Sequence, residues 1–328
     1  MRISNKYVNK VNSSYLNLDG GLGNQIFQFL AAKYIKKLIK CSRFYFGHLS
    51  CSNPIINKLI IDKEFIYLDK FQSNLNLSIK NRILKKLFNK YSEVDIFFNF
   101  YNINLFSNKF YLRENYKFKK RKYSLENRIN NLKNQIKSRK GVFDIDINGF
   151  WQDPTPYLPD LNAISDEFEK NLLFNRKNLR FKPGNYITLH ARRGDYLNEL
   201  SNAKMYASNH SFISFFSSCI NILPSEFDDF PIIVVSDDQE WFKNIDISRL
   251  SNIKRDFLFA SGSEVDDWIL MNNARINIIS NSTFSYTASL LNRSNINSKL
   301  RAIMPFWYSL YETTNSKGWL KPNGFICI

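Results

Sequence analysis

The second half of the chain alternates short apolar runs with longer amphipathic ones. "YITLH" (186–190), "PIIVVSDD" (231–238) and "INIIS" (276–280) are rich in β-branched residues and too short for buried helices, so they read as strands. Helical spacing falls between them: near 211–222, in "QEWFKNI" (239–245), in "DDWILMNNA" (266–274) and in "TFSYTASLLN" (283–292). Buried-type strands alternating with helices predict a parallel sheet covered on both faces. The first half has one clear unit. Residues 15–18 read as a short strand, 19–24 as a glycine loop, and 25–40 as a helix carrying Ile26, Phe27, Leu30, Ala31, Tyr34, Ile35 and Leu38. From 80 to 140 the chain is basic, aromatic and weakly patterned, and only Leu125, Ile129, Leu132 and Ile136 define a helix there. "GFWQDPTPYLPD" (149–160) is punctuated by proline, and "RFKPGN" (180–185) reads as a linker turning at Pro183–Gly184. The fold class is α/β, in two domains, 1–182 and 183–328, with the boundary near Lys182.

Composition sharpens this picture in three ways. A chain of 328 residues, 44% hydrophobic, has ample material for a core and a prior of two domains. Its formal charge of +17 favours anionic partners: nucleic acid, an acidic membrane surface, or phosphorylated substrates. A coding bias toward Lys, Asn and Ile explains much of the excess lysine, but not where the arginines fall. Cys41, Cys51, Cys219 and Cys327 form no CxxC pair, and His48, His190 and His210 are scattered. This spacing argues against a disulfide framework or a zinc site and for a reducing, cytoplasmic setting. No signal-like apolar segment opens the sequence, and no run of about 18 apolar residues occurs, so no membrane span is expected.

Four motifs carry candidate chemistry. "DGGLGNQ" (19–25) matches neither the dinucleotide nor the Walker pattern. Gly20, Gly21 and Gly23 permit a sharp turn and a close ligand approach, while Asn24 stands at the helix start, to cap it or to face a cleft. "HARRGDY" (190–196) follows a strand at the end where ligands collect in open α/β sheets. Arginine offers a rigid fork for phosphate oxygens, and two adjacent arginines on extended chain point apart, one to the cleft and one to a local partner such as Asp195. Two arginines beside one aspartate call for a further anion, which favours a site over a surface ion pair. The adhesion tripeptide within this motif follows a core strand, which argues against an adhesion loop. In "VVSDDQEW", Asp237 with Glu240 resembles a capping box, and no third ligand suggests a metal; Asp237 or Asp238 remains a ligand contact at the sheet edge. "ISNSTFS" places Asn281, Ser282 and Thr283 where a helix begins, which is either plain N-capping or a phosphate cradle.

Taken together and in order, "GGLGNQIFQFLAAKYI", "GFWQDPTPYL", "HARRGDY", "VVSDDQEWF" and "ISNSTFSYTASLL" resemble the bacterial α-1,2-fucosyltransferases of glycosyltransferase family 11, over about 15–292. The resemblance implies a GT-B fold of two Rossmann-like domains facing across a cleft, an N-terminal acceptor-side domain and a C-terminal GDP-sugar-binding domain. It implies GDP-β-L-fucose as donor, inversion, and no metal or other cofactor. Carried over, Arg192 holds the diphosphate, with His190 and Arg193 completing the motif and Asp195 orienting it. Ser282 and Thr283 resemble phosphate-holding residues. "EVDDW", with Glu264, Asp266 and Asp267, lies where relatives recognise guanine. Gly21, Gly23 and Asn24 resemble the loop whose Asn faces the reacting sugar. "FSYTAS" departs from the more usual "FSWWAA" at Tyr286 and Thr287.

A leaving diphosphate gains charge as its bond to sugar breaks, so a magnesium ion or fixed cations must stabilise it, and Arg192 with the Ser282–Thr283 helix end can do so without metal. For a general base, Asp19 and Asp195 are candidates on position alone. The expected partners are GDP-fucose and a galactose-containing or lipid-linked acceptor, in O-antigen or capsule synthesis, with peripheral contact at an anionic inner-membrane face. A different GDP-sugar, an inactive sugar-binding protein, or a nucleic-acid-binding protein using residues 115–140 are the alternatives. The last lacks any recognised nucleic-acid motif.

Overall fold

A computed structural model describes residues 10–18, 20–39, 43–47, 66–68, 109–113, 125–138, 142–149, 151–152, 154–172, 181–194, 197, 209–246, 249–252, 254–292, 298–305 and 322–328. The chain forms two compact units. One comprises Met1–Gly20, Asn24–Asn57 and Ile61–Gln152; the other comprises Gly21–Gly23, Lys58–Ile60 and Asp153–Ile328. The division thus falls at Gln152, and the turn near Lys182 lies inside the second unit, leading into its first strand. There Gly184 has φ +79 with open space around it.

The first unit is built on a five-stranded sheet, β1 (Lys10–Asn17), β2 (Arg43–Gly47), β3 (Ile66–Leu68), β4 (Lys109–Arg113) and β5 (Val142–Asn148). Every pairing is parallel and the order is β3-β2-β1-β5-β4. Helix α1 (Leu22–Ile39) follows β1, and α2 (Leu125–Lys137) precedes β5. Phe27, Leu30, Ala31 and Ile35 bury the inner face of α1; Ile129, Leu132 and Ile136 do the same for α2, as their spacing predicts. Strand β1 starts at Lys10, five residues earlier than the apolar pattern indicates, because "KVNSSYLN" is too polar to read as a strand.

The second unit holds a six-stranded parallel sheet: β6 (Ile187–Ala191), β7 (Ile232–Ser236), β8 (Phe257–Phe259), β9 (Ile276–Ile278), β10 (Ala302–Met304) and β11 (Phe325–Cys327). Its helices are α3 (Leu161–Leu172), α4 (Asn209–Asn221), α5 (Gln239–Lys243), α6 (Glu264–Asn272) and α7 (Thr283–Leu290). All five residues of β6 are buried, as a two-face-covered parallel strand requires. Phe212, Phe216 and Phe242 from α4 and α5 join Leu189 and Val234 in the core. Two buried polar pairs link its elements: the Thr188 hydroxyl bonds Asn277 Oδ1 across β6 and β9, and Trp268 Nε1 donates to Thr287 Oγ1 at 3.2 Å. That second bond accommodates the "FSYTAS" departure: Thr287 receives the indole of α6, while buried Tyr286 stacks near Phe325, 5.5 Å between centroids.

The α/β expectation of two Rossmann-like units, each on a parallel sheet, is met. Strand order β11-β10-β9-β6-β7-β8 is the doubly wound arrangement, with the chain starting at β6 and reversing direction at β9.

Candidate functional site

Strands β6 and β9 are neighbours, yet the chain leaves them toward opposite edges of the sheet. Such a switch point opens a crevice beyond the carboxyl ends of the strands. The loop after β6 carries Arg192 and Arg193, and the loop after β9 carries Ser280 to Thr283. The adjacent end of β7 carries Asp237 and Asp238.

These side chains lock to one another. Asp237 accepts from the backbone N–H groups of Arg193 (2.8 Å) and Gly194 (3.1 Å) and pairs with Arg192 Nη1 at 3.1 Å. A side chain at Gly194 would strike that carboxylate. Asp238 caps α5 by accepting from Trp241 N–H (3.2 Å), and it receives Arg193 Nε at 3.1 Å. The Arg193 guanidinium lies 3.7 Å over the Trp241 ring. The two arginines diverge, as extended chain dictates. Arg193, with its side chain only 5% exposed, is a clamp inside the unit, while Arg192 is 37% exposed.

Two sequence-based readings are corrected here. The cap of α5 is Asp238, not Asp237 with Glu240, because Asp237 is committed to the arginine loop. Nor are two arginines balanced by one aspartate: Asp237 and Asp238 match them charge for charge. Charge balance therefore does not itself demand a bound anion. The anion argument moves to the exposed Arg192 and the helix beside it.

Ser280 joins the two loops. Its Oγ accepts from Arg192 N–H at 3.3 Å and lies 3.0 Å from His190 Nδ1. Burial, with the Arg192 charge second, pushes the His190 imidazole down to about 3. His190 is thus neutral at pH 7, with its ring 5.5 Å from that of Phe284 in α7. It braces the loop and brings no positive charge.

Helix α7 begins at Thr283 with Ser282 at the cap position, yet Ser282 makes no side-chain cap bond. Plain capping is therefore not what its hydroxyl does. The positive end of α7 instead meets the glycine loop. A Cβ on Gly23 would overlap the backbone of Thr283 and Phe284. Only glycine fits at position 23, which belongs to the second unit, against the start of α7. The neighbouring start of α1 is already served by an acid, since Leu22 N–H donates to Glu264 Oε1 at 3.2 Å. Of the acidic run in α6, Asp266 closes a capping box with Ser263: its Oδ2 accepts Ser263 N–H (2.9 Å) and Oγ–H (2.6 Å). Those bonds hold its carboxyl below the usual range, while burial, then the charge of Asp266, raises Asp267 to about 6.

In the first unit the sheet switches direction between β1 and β5. Helix α1 starts at Leu22, so Asn24 lies in its first turn and is not its cap. Asn24 Oδ1 accepts from Gln152 Nε2 at 2.8 Å. Asp19 and Asp195 lie outside the described residues, as does most of 80–140. Among the described residues no group of three His, Cys, Asp or Glu side chains is placed to hold a metal ion, and no helix is long and apolar enough to cross a membrane.

The structure brings His190, Arg192, Arg193 and Asp237 together, and joins Gly23 to Thr283. Sequence reading missed Ser280, Trp241 and Gln152. Each sat inside a recognised motif, but its partner comes from a distant strand end, which no local spacing reports.

The family model for glycosyl transferase family 11 matches residues 7–309. An Escherichia coli alpha-1,2-colitosyltransferase is 27% identical over 286 residues, covering 84% of this chain and 86% of its own. The O-antigen biosynthesis glycosyltransferase WbnK of Escherichia coli is 26% identical over 299 residues, covering 85% and 90%. Among solved structures, Arabidopsis thaliana FUT1 in complex with GDP is similar over 86% of this chain and 69% of its own, at 9% identity and TM-score 0.47. The α-1,6-fucosyltransferase NodZ soaked with GDP-fucose is similar over 86% and 93%, at 11% and 0.40.

Proposed function

The chain belongs to glycosyltransferase family 11, and from that premise we propose that it transfers L-fucose from GDP-β-L-fucose to the 2-hydroxyl of a galactose-type acceptor. The transfer proceeds with inversion and without metal, in the synthesis of O-antigen or capsular polysaccharide. The observation that carries this reading is the exposed Arg192 at the β6/β9 switch point, in the loop that Ser280 ties to the approach to α7. The relatives' names support the sugar class and the pathway.

The acceptor hydroxyl attacks the anomeric carbon from the face opposite GDP, and its proton passes to a base or solvent. As the sugar–oxygen bond breaks, negative charge grows on the β-phosphate. Arg192, oriented by Asp237, and the first-turn N–H groups of α7 meet that charge in a fixed arrangement that needs no reorganisation. A guanidinium carries five donors, so a carboxylate on Nη1 aims the fork without exhausting it. Ser282 and Thr283 add hydroxyls beside the same helix end. The net charge of +17 supports peripheral contact with an anionic inner-membrane face, where lipid-linked acceptors reside.

A second reading changes only the donor. Because one relative is a colitosyltransferase, GDP-colitose, whose sugar is L-fucose without the 3-hydroxyl, is the competing donor. The test offers purified protein both donors with lactose and follows products by mass spectrometry. A fucosylated product supports the proposal. A product from GDP-colitose alone replaces the donor, and consumption of neither sinks both.

A further inference from the structure

The first sheet has a switch point of its own, between β1 and β5, and a side-chain bond spans it. The loop after β1 leads to Asn24, and the loop after β5 leads to Gln152, which are hydrogen-bonded at 2.8 Å. Three features hold this pair. Gln28, buried in α1, donates to the Gly149 carbonyl at 2.9 Å and fixes the chain end after β5. Trp151 has φ 52, a left-handed conformation costly for a non-glycine residue, and it turns the chain so that Gln152 follows. On the other side, Gly20 has φ +75, and a Cβ there would collide with Asn24 Nδ2. The Asn24 amide is therefore bracketed, with its oxygen on Gln152 and its nitrogen over the glycine.

We propose that Gln152 is a positioning residue that fixes the polarity of Asn24, so that Asn24 meets a substrate oxygen as a donor, through Nδ2, and not as an acceptor. This rests on the transferase reading, in which Asn24 faces the reacting sugar. A strained backbone at a switch point marks a place where geometry has been kept at a cost in stability. Gln152 bonds Asn24 within the first unit, so its loss is felt in turnover and not in the diphosphate grip proposed for the other unit.

The test uses the full chain with Gln152→Glu, Asn24→Ala and the double variant. Glutamate is isosteric but cannot donate to Asn24 Oδ1 when ionised, so the amide reverses. Gln152→Glu lowers kcat at least about 10-fold and leaves GDP affinity within about twofold; in the Asn24→Ala background it has no further effect. Full additivity with Asn24→Ala, or an unchanged kcat, overturns the proposal. An independent readout needs no turnover: with side-chain 15N-labelled asparagine, the NH2 signals lost in Asn24→Ala shift in Gln152→Leu. Unmoved signals overturn the positioning claim. A wild type that transfers no sugar sinks the functional reading, and this spectrum still decides whether Gln152 contacts the Asn24 amide.

Discussion

Gly21 and Gly23 stand two residues apart in one motif, yet the structure assigns them opposite tolerance. Replacing glycine by alanine within a helix ordinarily stabilises by about 1 kcal/mol. At Gly23 the added Cβ overlaps three backbone atoms of Thr283 and Phe284. Backbone cannot rotate away as a flexible side chain can, so α7 must shift, and overpacking of this kind costs about 1–3 kcal/mol. The clash wins, and Gly23→Ala destabilises by about 1–2 kcal/mol. For domains of about 150–250 residues each kcal/mol moves Tm by about 2–4 °C, so Tm falls by about 2–8 °C. At Gly21 the nearest atom is Glu264 Oε1 at 3.7 Å, an ordinary contact. Gly21→Ala therefore stays within about 0.5 kcal/mol of wild type. Scanning calorimetry with a GDP titration reads both. Because the displaced helix is the one proposed to receive phosphate, Gly23→Ala is expected to weaken GDP binding as well, and Gly21→Ala is not. A Gly23→Ala protein as stable as wild type, with unchanged GDP affinity, refutes the close contact of Gly23 with the start of α7.

Other consequences are as direct. Arg193→Lys loses the Nε bond to Asp238 and the stack on Trp241, so it destabilises by about 1–3 kcal/mol in urea melts, where a solvated surface arginine changes nothing. His190 folds neutral with its imidazole down to about 3, against an ordinary 6.5, so the unfolded chain binds the extra proton between those values. Its contribution is intact above about pH 6.5 and drains away as pH falls toward 3, at up to about 1.4 kcal/mol per pH unit; His190→Asn flattens that slope in pH-dependent melts. Asp267, raised to about 6, has the opposite sign: stability falls as pH rises from 3.8 to 6. Asp267→Asn raises Tm at pH 7.5 and leaves it unchanged near pH 3.

How far the sequence carries can be read from particular residues. Of the strands of the second unit, β6, β7 and β9 were legible because a strand covered on both faces is apolar throughout, as in "IIVVS"; β8, β10 and β11, three residues each, were not read. Strand β5, "VFDIDIN", alternates apolar and acidic residues inside a basic, poorly patterned stretch, and its parallel pairing with β1 is a tertiary fact. The arginine pair was legible from chemistry alone as a candidate anion site. Its division of labour was not, because the aspartates that divide it sit 44 and 45 residues away, on the end of β7. Capping was half legible: the pattern located the start of α5 but chose Asp237, the residue that the neighbouring loop claims. Gln152 and Asn24 are 128 residues apart and meet only because β5 and β1 are neighbours.

The central claim is that Arg192 meets the charge of a departing GDP without help from metal. Its most direct test is the initial rate of GDP-fucose turnover with lactose in EDTA, measured for wild type and Arg192→Ala. The account predicts steady product from wild type and a loss of about 100-fold or more in the variant. Equal rates in the two proteins, or wild-type turnover that stops in EDTA and returns with a divalent cation, would contradict it.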